Sequence, residues 1–212
     1  MTVTEIPARE QILDAAESLF ARKGLEATTI KEIGAVAQQN PALLYYYFGS
    51  KEELYRAVLQ RTMTGMVSRG SAAFDAARGP ADAIRALGSA QLEFLLTHPT
   101  APRLLIREMI DHEARQAEAV LLETAAGLFA RLCNVIEQGQ RTGEFRRDVE
   151  PRFAAISTIA QVVYFFTARP AIGLFFGEGT RGVPEATARG FGRHAGEFAV
   201  RALSLPGGER AT

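Results

Sequence analysis

The residues able to do chemistry in this chain gather in one short stretch, from Thr28 to Lys51. Three consecutive tyrosines lie in it, Tyr45, Tyr46 and Tyr47. On a helix, three successive side chains sweep about 200° of the circumference, so they cannot all face a core. Leu44 and Phe48, four apart, form the natural buried pair with Tyr47 beside them, which leaves Tyr45 and Tyr46 to solvent or a partner. A phenolic hydroxyl on a rigid arm suits a phosphate oxygen. Lys51 falls in the first turn of the next helix, where free N–H groups and the positive dipole end favour the same ligand. Thr28 and Thr29 hold the corresponding place at the start of an earlier helix. Residues 41–46 contain no Arg, Lys, Asn or Gln, so that helix cannot read guanine or adenine by a bidentate contact. Ala42 and Leu43 suit thymine methyl groups, and Gln39, just ahead, is placed for an adenine. Taken alone, the exposed tyrosines are equally well surface aromatics.

These residues are positioned by short helices whose starts are written into the chain. Ile12, Leu13, Ala16, Leu19 and Phe20 share one face of a helix over 9–23, and Gly24 follows where a left-handed cap belongs. Thr29 with Glu32, and Ser50 with Glu53, fit capping boxes. Asn40-Pro41 is an N-cap followed by proline at the first helical position. Helix starts about every ten residues leave room for two very short helices between two long ones, which is a helix-turn-helix pattern.

The segment TTIKEIGAVAQQNPALLYYYFGSKEEL, residues 28–54, resembles the DNA-binding domain of the tetracycline-repressor (TetR) family. Thr29, Ile33 and Ala37, then Leu44, Tyr45, Tyr47, Phe48, Ser50, Lys51, Glu53 and Leu54, carry the likeness, and Ile12, Ala15, Ala16, Leu19, Phe20 and Gly24 match in the first helix. The family's usual Gly-Val-Ser turn is replaced by Gln38-Gln39-Asn40, and its small residue and threonine by Ala42 and Leu43, so no operator sequence carries over. The resemblance implies DNA contact through Thr28, Thr29, Gln39, Asn40, Pro41, Ala42, Leu43, Tyr45, Tyr46 and Lys51.

Beyond this head, apolar residues recur at three- and four-residue spacing with no sustained alternation, and breakers cut the chain into about nine helices, one of them over about 114–141. The expected fold is all-α: an N-terminal three-helix DNA-binding domain (1–55), a C-terminal helical bundle for effector binding and dimerisation (56–205), and a tail (206–212). The resemblance implies that the last two long helices pair with their copies in a second subunit. Ile156, Ala160, Val163, Phe191, Gly192, Ala195 and Phe198 are assigned to that interface, with Gly192 and Gly196 allowing close approach. Phe94, Met109, Phe129, Cys133, Tyr164 and Phe165 lie on apolar faces and either line an effector pocket or are plain core; of Arg103 and Arg107, four apart, either one meets an acidic effector, with Arg107 assigned, or both are solvated.

Composition narrows the function. Lys+Arg and Asp+Glu both number 24, which excludes binding by bulk positive charge. Residues 1–51 carry five basic and six acidic side chains, so few phosphates are neutralised. A single cysteine forbids an internal disulfide and suits a reducing compartment. The first ten residues lack a secretory pattern, and the apolar stretch near the C-terminus is broken by Arg169 and Pro170, so a cytoplasmic protein with no membrane span is expected. His98, His112 and His194 are far apart, and no HExxH, GxSxG, paired CxxC or P-loop lysine occurs. No enzyme, cofactor or metal is expected. The reading is a dimeric, ligand-responsive repressor on a near-palindromic double-stranded DNA operator, released by a small molecule. The alternative is a helical dimeric adaptor that binds no DNA, which a gel shift against the DNA flanking its gene separates.

Overall fold

A computed structural model describes residues 7–205, apart from the side chain of Arg181. The tail expected over 206–212, and most of the N-terminal stretch read for a secretory signal, lie outside the described residues. Among the described residues ten α-helices run in order: α1 (Ala8–Lys23), α2 (Ile30–Ala37), α3 (Pro41–Phe48), α4 (Lys51–Ala76), α5 (Pro80–Thr97), α6 (Ala101–Asp111), α7 (Glu118–Thr142), α8 (Pro151–Thr167), α9 (Arg169–Phe175) and α10 (Glu185–Leu203). Within α7, Leu121–Ala125 form a π-turn. The described residues contain no strand, only one antiparallel bridge between Phe145 and Ser204.

The helix starts follow the capping chemistry. Thr29 Oγ1 accepts from Glu32 N at 3.2 Å while Glu32 Oε2 accepts from Thr29 N at 3.1 Å. Asn40 Oδ1 accepts from Ala42 N at 2.9 Å, and Ser50 Oγ from Glu53 N at 3.0 Å. Three features depart from expectation. Arg169-Pro170 opens α9 instead of ending helical structure, because proline is tolerated in a first turn. The helix expected from residue 114 starts at Glu118, since Glu113 and Ala114 adopt positive φ values of 54° and 64°. That turn is held by the buried Glu108, whose Oε1 accepts from Gln116 N at 2.8 Å and Ala117 N at 3.0 Å. By length and composition α7 is also apolar enough to cross a bilayer, with a mean hydropathy of 1.6, against the expectation that no segment is. Its Leu132, Cys133 and Ile136 instead pack in a protein core.

Packing groups the chain into two compact units. The first takes the chain to Thr64 with Pro99–Glu123; the second takes Gly65–His98 with the chain from Thr124 onward. In the first, Ile12, Leu19, Phe20, Ile33, Leu44, Phe48, Leu54 and Tyr55 share one core with Leu104 of α6. Phe20 meets Tyr55 edge-on, ring centroids 5.0 Å apart. In the second, Ile84, Leu87, Leu132, Ile136, Phe145, Ala155 and Val200 form the core. There α10 lies close against α5: a Cβ on Gly192 would fall 2.8 Å from Leu92, and one on Gly196 would fall 3.1 Å from the Arg85 Cα.

Candidate nucleic-acid interface

The reading head is set by a tight turn between α2 and α3. Gly34 makes room for it, because a Cβ there would lie 2.8 Å from the Gln39 carbonyl oxygen. Gln38 then takes a left-handed conformation at φ 55°, the place where a glycine is usual. Asn40 and Pro41 restart the chain as α3. Leu44 and Phe48 anchor α3 in the core. Opposite them, Ala42, Tyr45 and Tyr46 face outward, with Pro41 exposed and Leu43 half-buried. Tyr45 is 54% and Tyr46 80% exposed. Tyr47 lies beside the anchors as expected, its ring edge-on to Phe48 with centroids 6.2 Å apart, but it stays exposed and also meets Tyr46 edge-on at 5.3 Å.

Several donors assigned from the sequence are used by the fold itself. Thr28 is fully buried and its hydroxyl donates to the Gly24 carbonyl at 2.7 Å, so it cannot reach a phosphate. The Thr29 hydroxyl is engaged on both sides by Glu32 in the capping box. Lys51 Nζ donates to the carbonyls of Leu25 at 2.9 Å and Glu26 at 3.5 Å, tying α4 to the turn after α1. The Gln39 amide donates to Gln11 Oε1 at 2.6 Å and is half-buried. Gln38 in the turn and Lys31, Ala35 and Val36 of α2 are also exposed, and none of them is singled out by the sequence. Gln38 could have been found as a polar residue just past the last buried position of α2, Ala37.

The acidic count in the head is resolved by placement. Glu10, Asp14 and Glu17 of α1 converge on Arg61 of α4, at 3.3, 2.7 and 2.7 Å. Glu32 is paired with Lys23 at 2.5 Å, and its carboxyl is held below the usual range by that ammonium and by Thr29. No acidic residue occurs in α3, so the outward face around Tyr45 and Tyr46 carries neutral donors and methyl-rich surface.

The residues assigned to an effector pocket are divided between the two units. Arg107 and Met109 belong to the first unit, and Phe94, Phe129, Cys133, Tyr164 and Phe165 to the second. Arg107 donates to the Ala21 carbonyl at 3.2 Å and the Arg22 carbonyl at 3.1 Å, capping the end of α1 instead of facing a ligand. Met109 and Tyr164 are exposed. Phe94 is buried against His98, with rings stacked at 4.3 Å, and Phe165 is stacked on Phe191 at 4.1 Å. Cys133 is buried, and burial first of all pushes its thiol up. Phe129 is half-buried beside the same core.

The interface assignment divides in two. Ile156, Ala160 and Phe198 stand exposed in the second unit, and Val163 and Phe191 partly so. They continue through Phe153 and Tyr164, exposed by 71% and 70%, in an apolar stripe along α8. Gly192 and Ala195 are buried on the opposite side of α10. The glycine pair therefore serves close packing of α10 on α5 within the chain and not contact between chains.

A short-turned helix pair presenting one exposed helix, built onto an all-helical second part, defines a helix-turn-helix DNA-binding regulator. Family comparison gives the same class. Residues 12–58 match the model for bacterial regulatory proteins of the tetR family, and residues 80–190 that for the tetracyclin repressor-like C-terminal domain. The transcriptional repressor NicS of Pseudomonas putida is 30% identical over 162 residues, 76% of either chain. The repressor KstR2 of Mycobacterium tuberculosis is 27% identical over 143 residues, 67% of this chain and 71% of its own. A tetR-family regulatory protein of Rhodococcus RHA1 shares the fold, with a TM-score of 0.75 at 20% identity over 95% of this chain and all of that one. The chain belongs to the TetR family of transcriptional regulators.

Proposed function

We propose that this regulator is a two-fold dimer that sets two copies of α3 in successive major grooves of a near-palindromic operator, about 34 Å apart. It acts in the cytoplasm as a repressor, and a small molecule bound in the second unit releases it. The observation that carries this reading is the outward face of α3, where Ala42, Tyr45 and Tyr46 are exposed on a helix that contains no acidic residue. Tyr45 and Tyr46 donate to phosphates, Ala42 and Leu43 meet thymine methyls, and Asn40 and Pro41 set the approach of the helix. Gln38, exposed at the turn, takes the base-reading role first assigned to Gln39. Release requires that the effector bind the DNA-incompetent spacing of the two heads more tightly than the competent one.

The test is an in vitro selection of duplex sites by the wild type and by Gln38→Ala. The reading expects a two-half-site consensus from the wild type and a relaxed preference at one base pair per half-site from the variant. No enrichment from the wild type would reject it.

A further inference from the structure

The second unit contains a groove that none of the residues assigned to an effector pocket touches. It holds about 580 Å³ and runs between the end of α4, the start of α5 and the later turns of α7. Three arginines line it, Arg78, Arg131 and Arg141, over a floor that includes Phe74, Pro80 and Val135. Asn134 and Gln138 add neutral polar groups to the wall, and no carboxylate lines it.

The arginines differ in what holds them. Arg131 is fixed in place, 2.5 Å from Asp75 and with its guanidinium 5.3 Å above the Phe74 ring. Arg141 has only a loose partner, Glu137 at 3.6 Å on its own helix. Arg78 has no ion pair among the described residues, and the nearby Asp82 accepts from its backbone N–H at 2.9 Å. Asp75 and Glu137 are partnered with Arg131 and Arg141 and Asp82 with the Arg78 backbone, and none of the three lines the groove, so the loosely held Arg78 and Arg141 give its rim a positive charge. Guanidinium groups bind carboxylates and phosphates through paired N–H donors. An apolar floor under such a rim fits a molecule with an anionic head and a short apolar body. The volume lies in the range of small-molecule sites, about 300–1,000 Å³.

We infer that this groove is a binding site for an amphipathic organic anion, its carboxylate or phosphate head held by Arg78, Arg131 and Arg141 and its apolar part laid on Phe74, Pro80 and Val135. The site is defined without reference to DNA, so it stands or falls apart from the operator reading. The full chain is titrated by calorimetry with octanoate, octyl phosphate and octanol. Two variants accompany it: Arg78→Gln/Arg141→Gln, which removes the two loosely held charges, and Asn134→Trp, which obstructs the groove and keeps every charge. At least one of the anions is expected to bind the wild type at a single site and octanol to bind at least ten-fold more weakly. Both variants are expected to lose ten-fold or more in anion affinity at an unchanged thermal midpoint. Whichever anion binds more tightly identifies the head group. Failure of both anions to bind, equal binding of octanol, or unchanged affinity in whichever variants stay folded would overturn the proposal. Should one variant unfold, the other still decides.

Discussion

At the scale of single residues, what matters is whether a donor is free or already used. Tyr46 has an exposed hydroxyl, and a hydrogen bond to a charged group contributes about 1.5–3 kcal/mol. Tyr46→Phe is therefore expected to weaken binding about ten-fold or more, on operator and unrelated duplex alike, because a phosphate contact carries no sequence information. Fluorescence anisotropy on the two duplexes measures this, and a loss confined to the operator would contradict it. Thr28 gives the opposite outcome. Its buried hydroxyl donates to the Gly24 carbonyl, so Thr28→Val is expected to cost about 1 kcal/mol of stability in urea unfolding while leaving DNA affinity unchanged. Sequence spacing placed Tyr45 and Tyr46 outward correctly, since helical periodicity alone decides that. It could not show that Thr28, Lys51 and Gln39 spend their donors on Gly24, Leu25 and Gln11, because those partners lie far along the chain or across a turn whose path is not yet known.

At the scale of elements, capping chemistry and close packing made opposite demands on the sequence reading. Caps are local, so the boundaries at Thr29, Asn40 and Ser50 could be read directly. Packing partners are not, and the glycines of α10 were assigned to the wrong neighbour for that reason. Glycine four residues from glycine announces close approach, but only the fold shows that Leu92 and Arg85 of α5 are what approaches. Gly196→Val is expected to destabilise the chain by about 1–3 kcal/mol through overpacking, without a change in the dimerisation constant of the folded protein; thermal unfolding and analytical ultracentrifugation separate the two effects. The cap of α2 also predicts a pH dependence. The Lys23 ammonium, with help from Thr29, depresses the Glu32 carboxyl in the folded state. A group depressed in this way stabilises above its unfolded value and loses that contribution as pH falls through the folded one. Glu32→Gln should thus be less stable than wild type at neutral pH, and the gap should close as urea midpoints are followed into the acid range. A gap that stays constant with pH would remove Glu32 from the cap.

At the scale of the whole molecule, a balanced charge and an unpartnered apolar stripe have to be explained together. With Glu10, Asp14 and Glu17 drawn onto Arg61 and Lys51 turned inward, one head presents few free cations to DNA. Few cations per head predict a shallow salt dependence, and on the proposed reading affinity rests on two heads held at a fixed spacing. The stripe of Phe153, Ile156, Ala160 and Tyr164 on α8, with Phe198 on α10, is the surface suited to that pairing. Its exposed aromatic and branched side chains exceed the scatter of single apolar residues normal on a monomer. In a two-fold interface each residue occurs twice, so one substitution places two like charges in the same buried patch. Ile156→Glu and Phe198→Glu are each expected to yield a folded monomer. Either change should abolish tight binding to the two-half-site operator and leave the weak affinity for an isolated half-site as it is in the wild type. Sedimentation equilibrium reads the first effect, and anisotropy on full and half operators the second. If both variants remain dimers, the pairing surface lies elsewhere. If they become monomers that still bind the full operator tightly, the spacing of two heads is not what holds the DNA.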